Sequence, residues 1–245
     1  MSKEYKKDSL GDRMKAYEDQ SEVIMPMDKV NVIRLDGRAF HTYTKNMKRP
    51  FDEKLSSAMK ATLKFLCENI PTVCFGYTQS DEITLVLKTD KVNGEYNPWF
   101  GNRLQKILTT AVSLCTFEFN RLMYDERRPK MATFDGRVIV GIDYVEAANN
   151  VFWRQLDAKR NSVSSFAQAN FPHKELQGLK WDSLKEKLKV EAGIVWEDQC
   201  AYEKWGVVCK RNEKGSRGWM LDEDTPLLNS DWSYIYDEIK PLDVD

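Results

Sequence analysis

The residues of this chain best placed to do chemistry are two aspartates in matching settings. Asp36 closes the apolar, β-branched run that opens VNVIRLDGRAFH (residues 30–41), and Gly37 and Arg38 follow it. Asp81 stands at a tight connection, Ser80-Asp81-Glu82, between the two β-like runs of FGYTQSDEITLVL (residues 75–87). A carboxylate at the end of a strand buried on both faces sits at an edge, and glycine beside it has no Cβ to keep a ligand off the backbone. Asp-Gly is also a common turn dipeptide, so either carboxylate alone is ambiguous. Two that meet would offer hard oxygen ligands, which suit Mg²⁺.

Other chemistries fare worse. The only histidines are His41 and His173, so a His-rich metal site is excluded and a Ser-His-Asp triad is poorly supported. The five cysteines are scattered and form no CxxC pair, which argues against a zinc site and against a disulfide framework. No apolar run approaches the roughly 18 residues of a membrane span, and the N-terminus lacks the apolar core of a secretory signal. A cytoplasmic protein with no membrane partner is the expectation. The formal net charge is −1, but the sign is unevenly spread. Residues 221–245 hold eight acids and one base, leaving the first 220 at +6. Basic clusters recur at Lys45/Lys48/Arg49, Arg127/Arg128/Lys130, Arg154/Lys159/Arg160 and Lys204/Lys210/Arg211/Lys214/Arg217. Such clusters permit a phosphate backbone as partner, although most basic runs are solvated surface.

The elements that must position the aspartates follow in order. After a charged helical arm over 9–20, a strand over 30–35 leads to Asp36. Asp52 is a candidate N-cap, and the stripe Leu55, Met59, Leu63, Leu66, Ile70 predicts an amphipathic helix over 52–70, stopped by Pro71. Strands over 73–78 and 82–88 form a hairpin with Asp81 at its turn. Asn97-Pro98 opens a helix running to about Arg121, on which Arg103 and Lys106 share a face. A last strand covers 137–142. Strand, helix, strand, strand, helix, strand is the split βαβ, ferredoxin-like order, an α+β class. In that order the first strand lies beside the central hairpin, so Asp36 and Asp81 become neighbours, as in polymerase and nucleotidyl-cyclase palms with two Mg²⁺ ions. Beyond residue 143 the chain turns helical, with a polar stripe of Arg154, Asp157 and Asn161 that is either a salt-bridged face or an RNA contact. A palm-like core over 1–143, a helical appendage over 144–220 and an acidic tail over 221–245 complete the expected organisation.

With these motifs placed, the chain resembles the histidine-tRNA guanylyltransferase superfamily, 3′-to-5′ polymerases that add nucleotides to the 5′ end of tRNA. RLDGRAFH, RPFD, YTQSDE, WFGNRLQK, FDGRV and WRQLDAKRN carry the resemblance over about residues 10–210. It implies a palm with appended C-terminal helices, two Mg²⁺ ions, ATP or GTP and other nucleoside triphosphates as substrates, tRNA as partner, and a homotetramer. Asp36 and Asp81 would ligate the metals with the Gly37 carbonyl; beside them, Glu82 is read either as a catalytic residue that tunes the site or as an exposed strand residue. The segment Asp36, Gly37, Arg38, Ala39, Phe40 and His41, with Ser80 and Asp81, would line the nucleotide site. Arg103 and Lys106 would bind triphosphate, Arg49 would assist 5′ activation, and Arg154, Lys159, Arg160 and Asn161 would contact tRNA. Where the guanylyltransferases proper carry His-Ile-Asn-Asn, this chain has Lys159-Arg160-Asn161-Ser162. That is similar to the branch that repairs 5′-truncated tRNAs. A nucleotidyl cyclase, a conventional palm polymerase and an idle tRNA-binding protein are the alternatives.

Overall fold

The computed structural model describes residues 9–126, 129–213, 218–228 and 233–240; Arg127, Arg128, Lys214 and Arg217 of the basic clusters lie outside them. In chain order the elements are α1 (Leu10–Asp19), β1 (Val30–Gly37), α2 (Phe40–Tyr43), α3 (Glu53–Asn69), β2 (Val73–Gln79) and β3 (Glu82–Lys88). A short hairpin, β4 (Lys91–Val92) and β5 (Glu95–Tyr96), precedes α4 (Leu104–Met123) and β6 (Phe134–Ile142). Then come α5 (Tyr144–Asn170), α6 (His173–Leu176), α7 (Trp181–Ala192), α8 (Ala201–Trp205), β7 (Val207–Arg211), β8 (Trp219–Asp222) and α9 (Ser233–Ile239).

Six strands form one antiparallel sheet in the order β6-β1-β3-β2-β7-β8. Its first four members give the ferredoxin-like order expected from the chain, and β7 and β8 extend the β2 edge. Alternation sorts β1 between two cores: Ile33 and Leu35 face one layer, Val30 and Val32 the other. The first layer is α3 and α4, which bring Met59, Leu63, Ile107, Ala111 and Phe119 onto Ile83 and Leu85. The second is α5 and α9, whose Ala147, Val151, Ile235 and Ile239 cover Val86, Phe75 and Tyr77. Burial on both faces explains why these strands read as continuous apolar runs.

The helices start where side chains can satisfy their free N–H groups. Asp52 accepts from the Leu55 N–H at 3.1 Å to open α3, and Asp143 accepts from Glu146 at 2.8 Å to open α5. The segment beyond residue 220 is more ordered than an acidic tail: among its described residues, Leu228, Ile235 and Ile239 are buried against the sheet. Ile235 and Ile239, an i, i+4 pair, point inward, while Asp222 and Glu238 pair with Lys210.

Candidate active site

The site is built where β1 ends beside the β2–β3 turn. Asp36 lies opposite Glu82 on β3 and opposite Asp135 on β6. The Gly37 N–H donates to the Asp81 carbonyl at 3.1 Å, so the ladder runs on to the turn and brings the two aspartates to one end of the sheet. Gly37 is required there: a Cβ would sit 2.3 Å from the Phe40 ring. Phe40 in turn packs on Tyr43, Phe119 and Phe134 with centroids 5.1–5.4 Å apart, which anchors the loop after Asp36 from below. The β2–β3 turn has two residues, with Ser80 left-handed at φ 49°. Tyr202 of α8 donates to the Ser80 carbonyl at 3.1 Å and buttresses the turn from outside the sheet.

Electrostatics separate the three acids. Burial raises the Asp81 carboxyl above its ordinary value; the Asp36 charge adds to this, and the Ser80 hydroxyl, donating at 3.1 Å, opposes it. Glu82 is buried and already spoken for. Arg154 of α5 donates to its two oxygens at 2.7 and 2.8 Å and to Asp157 at 3.0 Å. Burial raises the Glu82 carboxyl, with the Arg154 and Arg34 charges pulling the other way. Burial works against the Arg154 guanidinium, but Glu82 and Asp157 outweigh it and hold its pKa above the ordinary value.

Two cavities meet at the turn and share Phe51, Ser80, Asp81, Ser165 and Tyr202. One, of about 240 Å³, has Asp36, Asp81, Glu82, Arg154, Asp157 and Asn161 in its wall. The other, of about 380 Å³, is lined by Phe40, His41, Lys48, Arg49, Ser80 and Asp81 among others. Phe40, His41, Arg49, Ser80, Asp36 and Asp81 are thus brought together. Arg38 and Ala39 are exposed beside them and line neither cavity.

Several sequence expectations need correction. Glu82 is neither an exposed strand residue nor a free donor, because Arg154 holds both of its oxygens. Arg154 is itself 9% exposed, so its guanidinium faces Glu82 rather than an RNA surface. Lys159 and Arg160 do not join the aspartates; they line a groove elsewhere on α5. Arg103 precedes α4 instead of lying on it, and pairs with Glu22 at 3.0 Å. It and Lys106 sit at the end of the sheet where β3 stops, since Asn102 bonds Thr89 and Met25. Asp36 is at the other end of β1, roughly 20 Å away at about 3.3 Å per residue. Tyr202 was missed altogether, since no spacing connects residue 202 with the turn it supports.

The residues fit a divalent cation of the Mg²⁺ kind. Mg²⁺ is typically held by one or two carboxylates together with substrate phosphates, not by a cage of protein ligands. Asp36 and Asp81 supply that minimal set, and among the described residues no group of three or more His, Cys, Asp or Glu side chains forms a fuller one. A cation between them would also offset the cost of holding Asp81 ionised under cover.

A ferredoxin-like sheet with paired aspartates at the end of β1 and in the β2–β3 turn defines a palm of the nucleotidyltransferase class. The family model for tRNA(His) guanylyltransferase matches residues 11–141, and the chain belongs to that family of nucleotidyltransferases. It is similar to a bacterial tRNA(His) guanylyltransferase-like protein in complex with ATP, at 39% identity and a TM-score of 0.88, over 95% of this chain and all of that one. A second bacterial guanylyltransferase-like structure, in complex with GTP, is 36% identical with a TM-score of 0.82, over 96% of this chain and all of that one. The human probable tRNA(His) guanylyltransferase is 31% identical over 54% of this chain, and the match spans only 44% of that protein's length. No helix among the described residues is long and apolar enough to cross a membrane.

Proposed function

We propose that this chain adds nucleotides to the 5′ end of tRNA in the 3′-to-5′ direction, and that its task is templated repair of 5′-truncated tRNA. The observation that carries the reading is that Asp36 and Asp81 line one cavity together and that Asp81 also lines the cavity adjoining it. In the first step an oxygen of the RNA 5′-monophosphate attacks the α-phosphorus of ATP or GTP, and pyrophosphate leaves. In the second, the 3′-oxygen of the incoming triphosphate loses its proton and attacks the RNA 5′ phosphorus, and the nucleoside monophosphate leaves. Each step forms one P–O bond and breaks one. Two Mg²⁺ ions, held by Asp36 and Asp81 with the Gly37 carbonyl, would neutralise phosphate charge and ease loss of the hydroxyl proton.

The chain's own groups do the positioning. The φ of Ser80 and its hydrogen bond to Asp81 fix the direction of that carboxylate. Arg49 and Lys48 bring positive charge to the second cavity, where a triphosphate would lie. Glu82, neutralised by Arg154, holds α5 against β3. The bacterial likenesses solved with ATP and with GTP support a nucleoside triphosphate here. Lys159-Arg160-Asn161-Ser162, in place of His-Ile-Asn-Asn, supports a substrate range wider than histidine tRNA. A cytoplasmic location and a homotetramer belong to the same reading.

The test is incorporation of labelled nucleotides, with Mg²⁺, into a 5′-triphosphorylated tRNA lacking its first nucleotide and into a histidine tRNA lacking its extra 5′ guanosine. Template-matched addition to the first, lost in Asp36→Ala and Asp81→Ala with the fold retained, is the expected result. Addition of guanosine to the histidine tRNA alone would overturn the repair reading. Consumption of triphosphate without RNA would make the protein a cyclase.

A further inference from the structure

The stripe of α5 that faces Glu82 has a neighbour the catalytic reading does not use. Trp153, Leu156 and Arg160 recur at i, i+3 and i+7, one residue out of step with Arg154, Asp157 and Asn161, so they occupy an adjoining face of the same helix. With Lys159 and with Trp181 of α7 they line an open groove of about 400 Å³. Trp153 is 48% exposed although it is an indole. One flank of it is covered, with the Arg154 guanidinium 4.6 Å and that of Arg34 5.8 Å from the ring centroid. Trp181 is set by an edge-on contact with Trp196 at 5.5 Å and carries the Lys185 and Lys159 ammonium groups 4.5 and 5.3 Å from its ring. No carboxylate lines the groove, whereas Lys159 and Arg160 both do. The Arg160 side chain is 66% exposed, and Asp157 takes one of its N–H groups at 3.0 Å.

We infer that this groove binds an unpaired nucleotide of the RNA substrate, its base against Trp153 and Trp181 and its phosphate at Lys159 and Arg160. The charge of the rim selects the occupant. An apolar cleft between indoles would take many hydrophobes, but a cleft edged only by cations favours a ligand with a flat π-face and a negative backbone. Double-stranded RNA offers no free base face, so the site discriminates for single strand. Arg154, which lines the first cavity and bonds Glu82, also lies against the Trp153 ring, so one side chain stands between the groove and the cavity. A tRNA bound with its 5′ end at the aspartates would have a second anchor on the same helix. This rests on the proposed function only in taking tRNA as the RNA.

Binding measured without turnover separates the two claims. Affinity is read for a tRNA transcript lacking its first nucleotide, and for a short single-stranded RNA against the same sequence in a duplex. Trp153→Ala should weaken both single-strand-containing ligands roughly tenfold or more, the usual loss when a stacking ring is removed. Trp153→Phe should restore most of the affinity. Lys159→Glu, which leaves Trp153 and Arg154 in place, should weaken binding and reduce the salt dependence by about one phosphate's worth. In all three, the KM for the nucleoside triphosphate should stay at the wild-type value. Wild-type affinity in both Trp153→Ala and Lys159→Glu, or equal binding of duplex and single strand, would overturn the groove. If wild-type protein binds the transcript through Trp153 and does not extend it, the function fails and the groove stands.

Discussion

Arg154 holds Glu82 through two hydrogen bonds of 2.7 and 2.8 Å, across 72 residues of chain and one residue away from Asp81. Both side chains are about nine-tenths covered. The pair ties α5 to β3, the strand that leaves the turn holding Asp81. Its energetic character is asymmetric. A buried ion pair adds little over well-packed apolar groups, yet losing one partner strands a charge out of water.

Arg154→Met should therefore cost about 3 kcal/mol of unfolding free energy, because the buried Glu82 carboxylate would lose both of its hydrogen bonds and keep only the Arg34 charge, 4.0 Å away. Replacing both, Glu82→Leu with Arg154→Met, should recover most of that loss. Urea midpoints of the two single variants and the double one give the coupling directly. A strictly additive double variant would mean that the pair does not act as a unit. Activity should not return with stability if the clamp also sets the direction of the neighbouring Asp81.

Much of this arrangement was legible in the sequence, for physical reasons. The stripe Leu55, Met59, Leu63 and Leu66 could only be a helix with one buried face, and Asp52 had the side chain to cap it. The adjacency of Asp36 and Asp81 followed from strand order, since β1 must lie beside β3 in a split βαβ sheet. The same logic, carried further, puts the segment that leaves β3 at the end of the sheet away from the β2–β3 turn, and the Thr89 bond to Asn102 keeps Arg103 there. Helical spacing grouped Arg154, Asp157 and Asn161 but could not say whether that stripe faced water or Glu82. The partners come from distant segments, so period alone is silent. Leu228, Ile235 and Ile239 were obscured by the acids around them, although Ile235 and Ile239 have the i, i+4 spacing of a buried helix face. Tyr202 acts through its hydroxyl on a backbone carbonyl, a contact with no sequence signature.

Ser80 separates stability from activity at the turn itself. A left-handed φ costs a residue with a Cβ about 1–2 kcal/mol, and glycine gives back roughly 0.5–1 kcal/mol of that in lost chain entropy. Ser80→Gly should thus be neutral to about 1 kcal/mol more stable in urea, while nucleotide addition falls because Asp81 has lost its hydroxyl donor. Ser80→Ala loses the donor and keeps the strain, so it should share the activity loss without any gain in stability. Unchanged activity in both variants would remove the Ser80 hydroxyl from the site.

Alkaline pH should probe the core through its thiols. Burial pushes the Cys74 thiol up to about 12, and raises Cys67 and Cys115 above their ordinary value as well. For groups raised in the folded state, the unfolded chain loses its protons first. The stability they contribute is complete below the unfolded value near 9 and is lost as pH climbs toward the folded ones. Each thiol should remove about 1.4 kcal/mol per pH unit within that window. Urea midpoints should therefore be level from pH 7 to 8.5 and fall steeply from about 9 to 12. In the folded protein at pH 8, a thiol reagent should modify the exposed Cys200 fast. Cys67, Cys115 and Cys209, all buried, should react only at the rate of unfolding. Rapid modification of those three in native buffer would mean that the layer of α3 and α4 opens far more readily than its packing allows.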